Sequence, residues 1–251
     1  MTAGEERERL ERHHRPERVQ ARMREETRQD VLGDAVLGAI DGAITTFAVV
    51  AGSIGGGFSK AVVIVLGFAS LFADGLSMAV SNYLGTKSER ERVAQARREE
   101  ERHIRVVPEH QADEVRHIFA DKGFSGETLE RIVTTITDDR ALWVDTVVSE
   151  EFGLPLRGTH PLRAGLATFL AFLLVGAIPL LPFLLPAFPA DAAFATSIAV
   201  TGAAFLGVGM VKGRVAGGGV WRGGAETLAV GGAAALLAFL VGHGLRQLVG
   251  G

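Results

Sequence analysis

The sequence has 251 residues, of which 47% are hydrophobic, and its 26 basic and 29 acidic residues give a net charge of -3. Its apolar residues are concentrated in long blocks, which is typical of an integral membrane protein. Basic residues alternate with acidic ones and form no basic stripe, which argues against nucleic-acid binding. Because the chain contains no cysteine, disulfides, thiolate ligands and a thiol nucleophile are excluded. A metal ion has to be held by oxygen, imidazole or thioether.

Residues 1–29 form a highly charged segment that lacks the apolar core of a secretory signal. We predict a cytosolic tail that can become helical after Pro16. His13 and His14 are candidate metal ligands in this tail, whereas a solvated arm is the ordinary interpretation of such a segment.

Residues 30–86 contain two apolar segments, and each exceeds the roughly 20 residues that cross a bilayer. We predict membrane spans at about Val31 to Ala51 and Ala61 to Leu84. Acidic residues interrupt both segments, at Asp34, Asp41 and Asp74. A carboxylate at mid-membrane costs roughly 3 kcal/mol, so acids at these places indicate a functional site.

In the first span, Asp34 and Asp41 lie seven residues apart and therefore on one face of a helix, which Thr45 continues. Gly38 and Gly42 form a small-residue pair that lets another helix approach closely. If two copies of the chain pair through their first spans, this glycine pair would bring those helices together.

In the second span, Asp74, Met78 and Asn82 recur at four-residue spacing. Carboxylate oxygens with one thioether suit Fe²⁺ or Mn²⁺ better than Mg²⁺ or Ca²⁺. The same acids can exchange a metal ion for protons, which is the chemistry of a proton-coupled metal antiporter. The alternative is structural, with Asp74 bonded to a neighbouring helix and Met78 in ordinary packing.

Residues 87–160 are rich in charge and are predicted to form a cytosolic helical insert with a small core that includes Trp143. Its first helix continues out of the membrane to about Arg105, and Pro108 begins a second helix that ends near Lys122. The predicted caps are Gly123 after the second helix, Ser125 before the third, and Asp138 or Asp139 before the fourth.

The insert carries a second group of candidate ligands at helical spacings: Glu100, His103, His110, Asp113, Glu114, His117, Glu150 and Glu151. Glu-x-x-His on two helices is a pattern by which helical bundles hold iron-type ions. Salt-bridged, solvated helix faces are an equally open interpretation, since such spacings arise by chance in a segment this rich in Glu and Arg. A bound divalent metal in the insert is therefore one of two hypotheses.

Residues 161–251 return to an apolar composition, with predicted spans at about Leu162 to Leu185, Asp191 to Val211 and Ala225 to Val249. Gly209 and Gly213 form another close-approach pair. The predicted fold class is all-α: a polytopic membrane protein with five transmembrane helices and a cytosolic helical insert between helices two and three.

The distribution of Arg and Lys predicts the orientation of these spans. The positive-inside rule puts the tail, the insert and residues 212–222 in the cytoplasm and the C-terminus outside. The Ala, Gly and Arg bias favours a bacterial source, and hence the plasma membrane.

Several motifs together resemble the vacuolar iron transporter family, which also includes manganese exporters. They are DAVLGAIDG with Asp34 and Asp41, ADGLSMAVSNYLGTKSE with Met78, Trp143-x-Asp145, and Lys212-Gly213. The resemblance covers almost the whole chain from Asp30. It implies a cytosolic metal-binding domain of three helices, a homodimer whose first spans line a shared pathway, and exchange of cytosolic ferrous iron for protons.

The resemblance also implies roles for single residues. Asp41 and Met78 match ion-binding residues of the pathway, Asp34 and Asp30 match acids at its cytosolic entrance, and Glu100, Glu114 and Glu151 match glutamates of the cytosolic domain. Departures from the plant pattern are Ser70 in place of a glutamate, with Asp74 one turn further on, His103 and Gln111 at two glutamate positions, and Val147 and Val148 at methionine positions.

We therefore expect a homodimeric, proton-coupled transporter, not an enzyme, that exports ferrous iron, manganese or both from the cytosol. A two-fold axis between the first spans would double the single Asp41 and the single Met78 that one chain supplies. The expected metal ligands are Asp41, Met78, Asp34, Asp74, Asp30, Glu100, His103, Glu114, His117 and Glu151. One alternative is a membrane-anchored metal sensor or store without transport, and another is a structural bundle without metal.

Overall fold

The computed structural model describes residues 16–156 and 158–249, with side chains described from Val31 onward. Within these ranges every regular element is helical. The elements are α1 (Pro16–Gly55), α2 (Lys60–Val106), α3 (Pro108–Asp121), α4 (Gly126–Thr137), α5 (Arg140–Glu150), α6 (Pro161–Gly176), a 3-10 turn (Ile178–Leu180), α7 (Leu181–Leu184), α8 (Ala190–Val215) and α9 (Val220–Val249). The predicted all-α fold is confirmed.

Five helical segments of the described chain are long and apolar enough to cross a membrane, which confirms the predicted number. They lie in Val31–Gly55, Lys60–Val106, Pro161–Leu184, Ala190–Val215 and Val220–Val249. The second segment belongs to a helix that continues without a break to Val106, close to the predicted end at Arg105.

The third span covers Pro161–Leu184, close to the predicted Leu162 to Leu185, but it is not one continuous helix. The helix α6 ends at Gly176, and a 3-10 turn and the short α7 carry the chain on to Leu184. Pro179 lies in this turn and has no N–H to donate to a helical ladder. Its carbonyl accepts a hydrogen bond of 2.7 Å from the buried hydroxyl of Ser197, so the break is held by α8.

Two compact units divide the chain. A membrane unit comprises residues 1–84 and 159–251, and an insert unit comprises residues 85–158. In the membrane unit, α1 packs against α6, α8 and α9, and α8 packs against α9. Aromatic side chains fill its core, where the rings of Phe47 and Phe205 meet edge to face with centroids 6.3 Å apart.

The glycine pairs account for the close helix contacts of this unit. A Cβ atom at Gly42 would lie 2.5 Å from the carbonyl oxygen of Phe172 in α6, and Gly38 faces the backbone of Thr168 in the same way. The predicted close approach is confirmed, but its partner is the third span of the same chain. The expectation that this pair joins the first spans of two copies is therefore wrong, because the face is already occupied.

The second glycine pair behaves as predicted. Gly209 of α8 lies against Gly223 of α9, and Gly213 lies against Gly219, the residue before that helix.

The insert unit has its own core around Val115, Val133 and Trp143, as predicted for the tryptophan. Asp139 caps α5, where its carboxylate accepts from the backbone N–H groups of Ala141 and Leu142. Ser125 is the N-cap residue of α4, as predicted, and its backbone is extended, but its side chain makes no capping hydrogen bond. The helix instead begins with Gly126 in a left-handed conformation, with φ of 59°.

Candidate functional site

Asp34 takes part in a polar contact among three spans of the membrane unit. Asn82 of α2 donates one hydrogen bond of 2.9 Å to Asp34 Oδ1 and another of 2.7 Å to Thr168 Oγ1 of α6. The Thr168 hydroxyl in turn donates to the carbonyl of Ala164 at 3.0 Å. Polar groups in a membrane interior have to find partners within the protein, and this network provides them for an acid of the first span.

Helical spacing within the second span predicts Asn82 as a polar member of this site. No such pattern indicates Thr168, which is fully buried. A hydroxyl within the apolar segment PLRAGLATFLAFLLVG was the available signal. Its partner on another span was not readable from spacing within one helix.

Asp41 is half-buried on α1. Thr45, which was predicted to continue its face, donates its hydroxyl to the backbone carbonyl of Asp41 at 2.8 Å. This hydroxyl is therefore used within its own helix. Met78 is partly buried and packs against the core cluster of the membrane unit, as the packing alternative describes, and its role as a ligand stays a prediction.

Asp74 lies on the exposed side of α2, and its carboxylate accepts a hydrogen bond of 2.5 Å from Ser70. With neighbours at helical spacing it forms an outward-facing polar stripe, which we define as Ser70, Asp74, Ser77 and Ser81. Such groups are costly in contact with lipid, so this face needs a polar partner. Asp30 lies in α1, but its side chain is outside the described part.

The insert unit brings four of the predicted ligands together, and we call them the carboxylate cluster: Glu100, His103, Glu114 and Glu151. Glu100 is only 2% exposed, and its Oε1 lies 3.3 Å from His103 Nδ1. The carboxyls of Glu114 and Glu151 lie close enough to influence each other's ionisation.

Burial and mutual repulsion shift the titration of this cluster. Burial raises the pKa of Glu100, the nearby imidazole of His103 opposes that shift, and repulsion from Glu114 adds to it. The pKa of Glu151 is raised to about 7, first by desolvation of its carboxyl, then by the hydrogen bond with Glu114 and by repulsion from Glu114 and Glu100.

Two oxygen acceptors in the insert unit are buried with no hydrogen-bond donor in the described part of the chain: Glu100 Oε2 and Gln111 Oε1. Buried acceptors normally have a partner, and a cation is one that can satisfy both kinds of oxygen. No three His, Asp or Glu side chains within residues 31–156 and 158–249 are placed to hold one ion together. The arrangement has unsatisfied oxygens, but not a preformed three-ligand site.

Other candidates on these helices have partners elsewhere. His117 is exposed, and its Nδ1 lies 2.7 Å from the carbonyl oxygen of Asp113 on its own helix. The Asp113 carboxylate pairs with Arg116, and Glu150 pairs with Lys122 at 2.5 Å. For Asp113 and Glu150 the structure agrees with the salt-bridge interpretation.

The Trp143-x-Asp145 motif has a structural role within the insert unit. Asp145 of α5 pairs with Arg97 of α2 at 2.7 Å, while Trp143, on the other side of the same helix, is buried in the core. The ion pair of this motif therefore connects the last helix of the insert unit to its first.

Comparison of the sequence with known proteins gives independent information on the relatives of this chain. The profile of the family described as the VIT family matches residues 32–243. The chain is 31% identical over 225 residues to vacuolar iron transporter 2 of Oryza sativa subsp. japonica, covering 88% of this chain and 90% of that protein. It is 32% identical over 216 residues to vacuolar iron transporter 1 of Arabidopsis thaliana, with 85% of each chain covered. It is 30% identical over 233 residues to the vacuolar iron transporter of Toxoplasma gondii (strain ATCC 50861 / VEG), covering 89% of this chain and 77% of that protein.

Proposed function

The chain belongs to the VIT family, and from that premise we propose that it is an integral membrane transporter of ferrous iron, manganese or both. Its similarity to proteins named vacuolar iron transporters supports metal-ion transport and membership of a transporter class, not an enzyme class. The observation that carries the proposal is that Asp34, Asp41 and Met78 all lie in apolar spans.

The ligand chemistry favours a borderline divalent ion. Asp41 offers hard carboxylate oxygens and Met78 offers a polarizable thioether, a mixture that suits Fe²⁺ or Mn²⁺ better than Mg²⁺. Asp34 is held by Asn82 in the predicted cytosolic half of the same spans and is proposed to receive the ion first. Asp30, four residues earlier in the sequence, is proposed to belong to the same cytosolic entrance.

We propose that protons move in the opposite direction to the metal. A carboxylate that releases a metal ion in a poorly hydrated site has to be neutralised, and a proton does this with the same oxygens. With the tail and insert in the cytoplasm of a bacterial cell, as the charge distribution favours, the ion would leave the cytosol across the plasma membrane.

The polar stripe of α2 supports a homodimer as the transporting form. Asp74, Ser77 and Ser81 are exposed on a single chain, and a second copy across a two-fold axis would cover them and double the number of ligands. In this arrangement Asp74 faces the pathway at the interface. The contact between copies uses this stripe and not Gly38 and Gly42, which pack against α6.

The insert is proposed to bind the same class of metal. Carboxylate oxygens with one imidazole fit Fe²⁺ or Mn²⁺, and the unpartnered Oε2 of Glu100 is a buried oxygen that a cation would satisfy. Glu100, His103, Glu114 and Glu151 would hold the ion. Because no three of these side chains are already placed to hold one ion, they have to rearrange to do so.

The decisive experiment is transport by purified protein in proteoliposomes that contain a metal-sensitive dye. We expect Fe²⁺ or Mn²⁺ uptake to depend on an opposing proton gradient, and Asp41→Asn to abolish it. Asp191→Asn, at an exposed acid in the first turn of α8, is the matched control and should transport normally. Full transport by correctly folded Asp41→Asn protein would refute the proposed pathway, and uptake independent of pH would refute proton coupling alone.

The same assay distinguishes transport from the alternative of a membrane-anchored metal sensor or store. That alternative predicts no uptake by the wild type, together with metal binding that is lost in the Glu100→Gln, Glu114→Gln variant.

A further inference from the structure

A groove of about 620 Å³ lies in the membrane unit between the end of α1 and the end of α9. This volume is within the range of about 300–1,000 Å³ that is typical of small-molecule pockets. Its walls are mostly apolar and include Val49, Ala238, Val241 and Leu245, whereas Ser53 and Arg246 are its polar lining residues. Val241 and Leu245 are also exposed on the outside of a membrane span, so the groove opens toward lipid.

The positive charge of Arg246 is held at the end of this groove. Its guanidinium lies against the turn after α1, where a Cβ atom at Gly57 would be only 2.6 Å from Arg246 Nη1. Gly57 has φ of 73°, so a residue without a side chain is favoured on two grounds. The turn therefore leaves room for the guanidinium beside the backbone.

No acidic side chain within the described ranges pairs with Arg246, although other basic residues near helix ends do have partners, such as Lys212 and Arg222 with Glu226. Guanidinium groups bind phosphate oxygens strongly because two parallel N–H groups can donate to them. An unpaired Arg at the end of a membrane span, next to an apolar groove, therefore presents complementary charge to a phosphate in the headgroup layer.

We propose that this groove binds an anionic phospholipid, with one acyl chain along the apolar walls and the headgroup phosphate at Arg246. The apolar walls favour a lipid over a free phosphate ion, and the cation favours an anionic lipid over a neutral one. The site does not depend on the metal pathway, because none of its lining residues is a candidate metal ligand.

The test compares the protein in nanodiscs of phosphatidylcholine alone with nanodiscs that also contain phosphatidylglycerol. Native mass spectrometry counts retained lipids after release into detergent, and thermal unfolding measures stabilisation by added lipid. We expect retained phosphatidylglycerol and a higher melting temperature with it than with phosphatidylcholine. Arg246→Gln should weaken phosphatidylglycerol binding about tenfold to a hundredfold, as expected for loss of a charged hydrogen-bonding group.

Two controls make the result specific. Arg222→Gln removes an exposed Arg from the opposite end of the same helix and should keep the preference for phosphatidylglycerol. Leu245→Trp fills the groove and should lower retention of the lipid, while the melting temperature in phosphatidylcholine shows whether each variant folds.

Three outcomes of the lipid measurements would overturn the proposal. They are equal stabilisation by both lipids, unchanged phosphatidylglycerol binding by folded Arg246→Gln protein, and equal stabilisation by inorganic phosphate, which would indicate an anion site without a lipid chain. A second copy is tested with Leu245→Cys, because the chain has no other cysteine. Efficient disulfide linkage through this position would show that the groove is an interface between copies.

Discussion

Asn82 of the second span donates a hydrogen bond of 2.9 Å to the carboxylate of Asp34 in the first span. The same amide also donates to Thr168 of the third span. One side chain thereby connects three membrane helices at an acid that belongs to the proposed entrance. Loss of these hydrogen bonds should lower the stability of the membrane unit, which can be measured without a transport assay.

Asn82→Ala should destabilise the membrane unit, because Asp34 and Thr168 both lose a donor. Side-chain hydrogen bonds between membrane helices contribute about 0.6 kcal/mol on average and up to about 1.7 kcal/mol. We expect a cost near the upper value, since two bonds are lost, measured by thermal or denaturant unfolding in detergent. Ser88→Ala at an exposed position of the same helix, outside the polar stripe, is the control, and an equal melting temperature for the two variants would contradict this role.

Gly42→Ala should destabilise the protein by about 1–3 kcal/mol, the usual cost of overpacking. The added Cβ atom would meet the backbone of Phe172 at 2.5 Å, and neither helix can yield without separating. Gly33→Ala in the same helix has open space around its Cβ position and should be neutral or slightly stabilising. The comparison uses melting temperature and the yield of folded protein.

The stability of the insert unit should fall as the pH rises from about 5 to 8. The pKa of Glu151 is raised from 4.5 to about 7 in the folded protein. Its contribution to the stability of the insert is therefore complete at a pH below 4.5, its pKa in the unfolded chain, and is lost as the pH rises through about 7. Glu130 does not mask this effect, because Arg116 lowers its pKa below 4.5 and its contribution changes only in more acidic solution.

Trp143 fluorescence measures this unfolding, in a Trp221→Phe background that removes the exposed second tryptophan. Glu151→Gln should reduce the pH dependence, while Glu127→Gln, at an exposed acid in the first turn of α4, should keep it. Greater stability of the insert at pH 8 than at pH 5 would show that the sign is wrong.

Mn²⁺ should stabilise the insert unit, because it supplies the missing partner for Glu100 Oε2. The same Trp143 signal should shift to higher temperature with added metal, and Glu100→Gln should abolish the shift. Glu130→Gln changes an exposed glutamate that pairs with Arg116 and should leave the metal response intact. An unchanged response in Glu100→Gln would exclude the carboxylate cluster as the site.

Ser77→Cys should form disulfide-linked dimers under mild oxidation if a second copy covers the polar stripe. Leu76→Cys is the control, since Leu76 is exposed one residue away on a different side of α2. The background is free of cysteine, so every linkage reports these positions. Preferential linkage through position 76 would place the dimer contact on the apolar side instead.

The sequence by itself determined the fold class and the number of spans. Both depend on local composition and length, since a segment of about 20 apolar residues that must satisfy its own backbone in lipid has to be a helix. The acids in the spans, Trp143 in the insert core and the cap at Asp139 were also readable, because spacing along one helix and capping chemistry are local properties.

Only the tertiary structure decided which residues meet. Gly38 and Gly42 permit close approach to any helix, and their partner proved to be α6 of the same chain. Glu114 and Glu151 are distant in sequence and meet only when the insert folds, and the resulting desolvation and repulsion set the pKa of Glu151. Helical periodicity states which face a residue occupies, but packing between helices depends on the combined shape and polarity of all the faces at once.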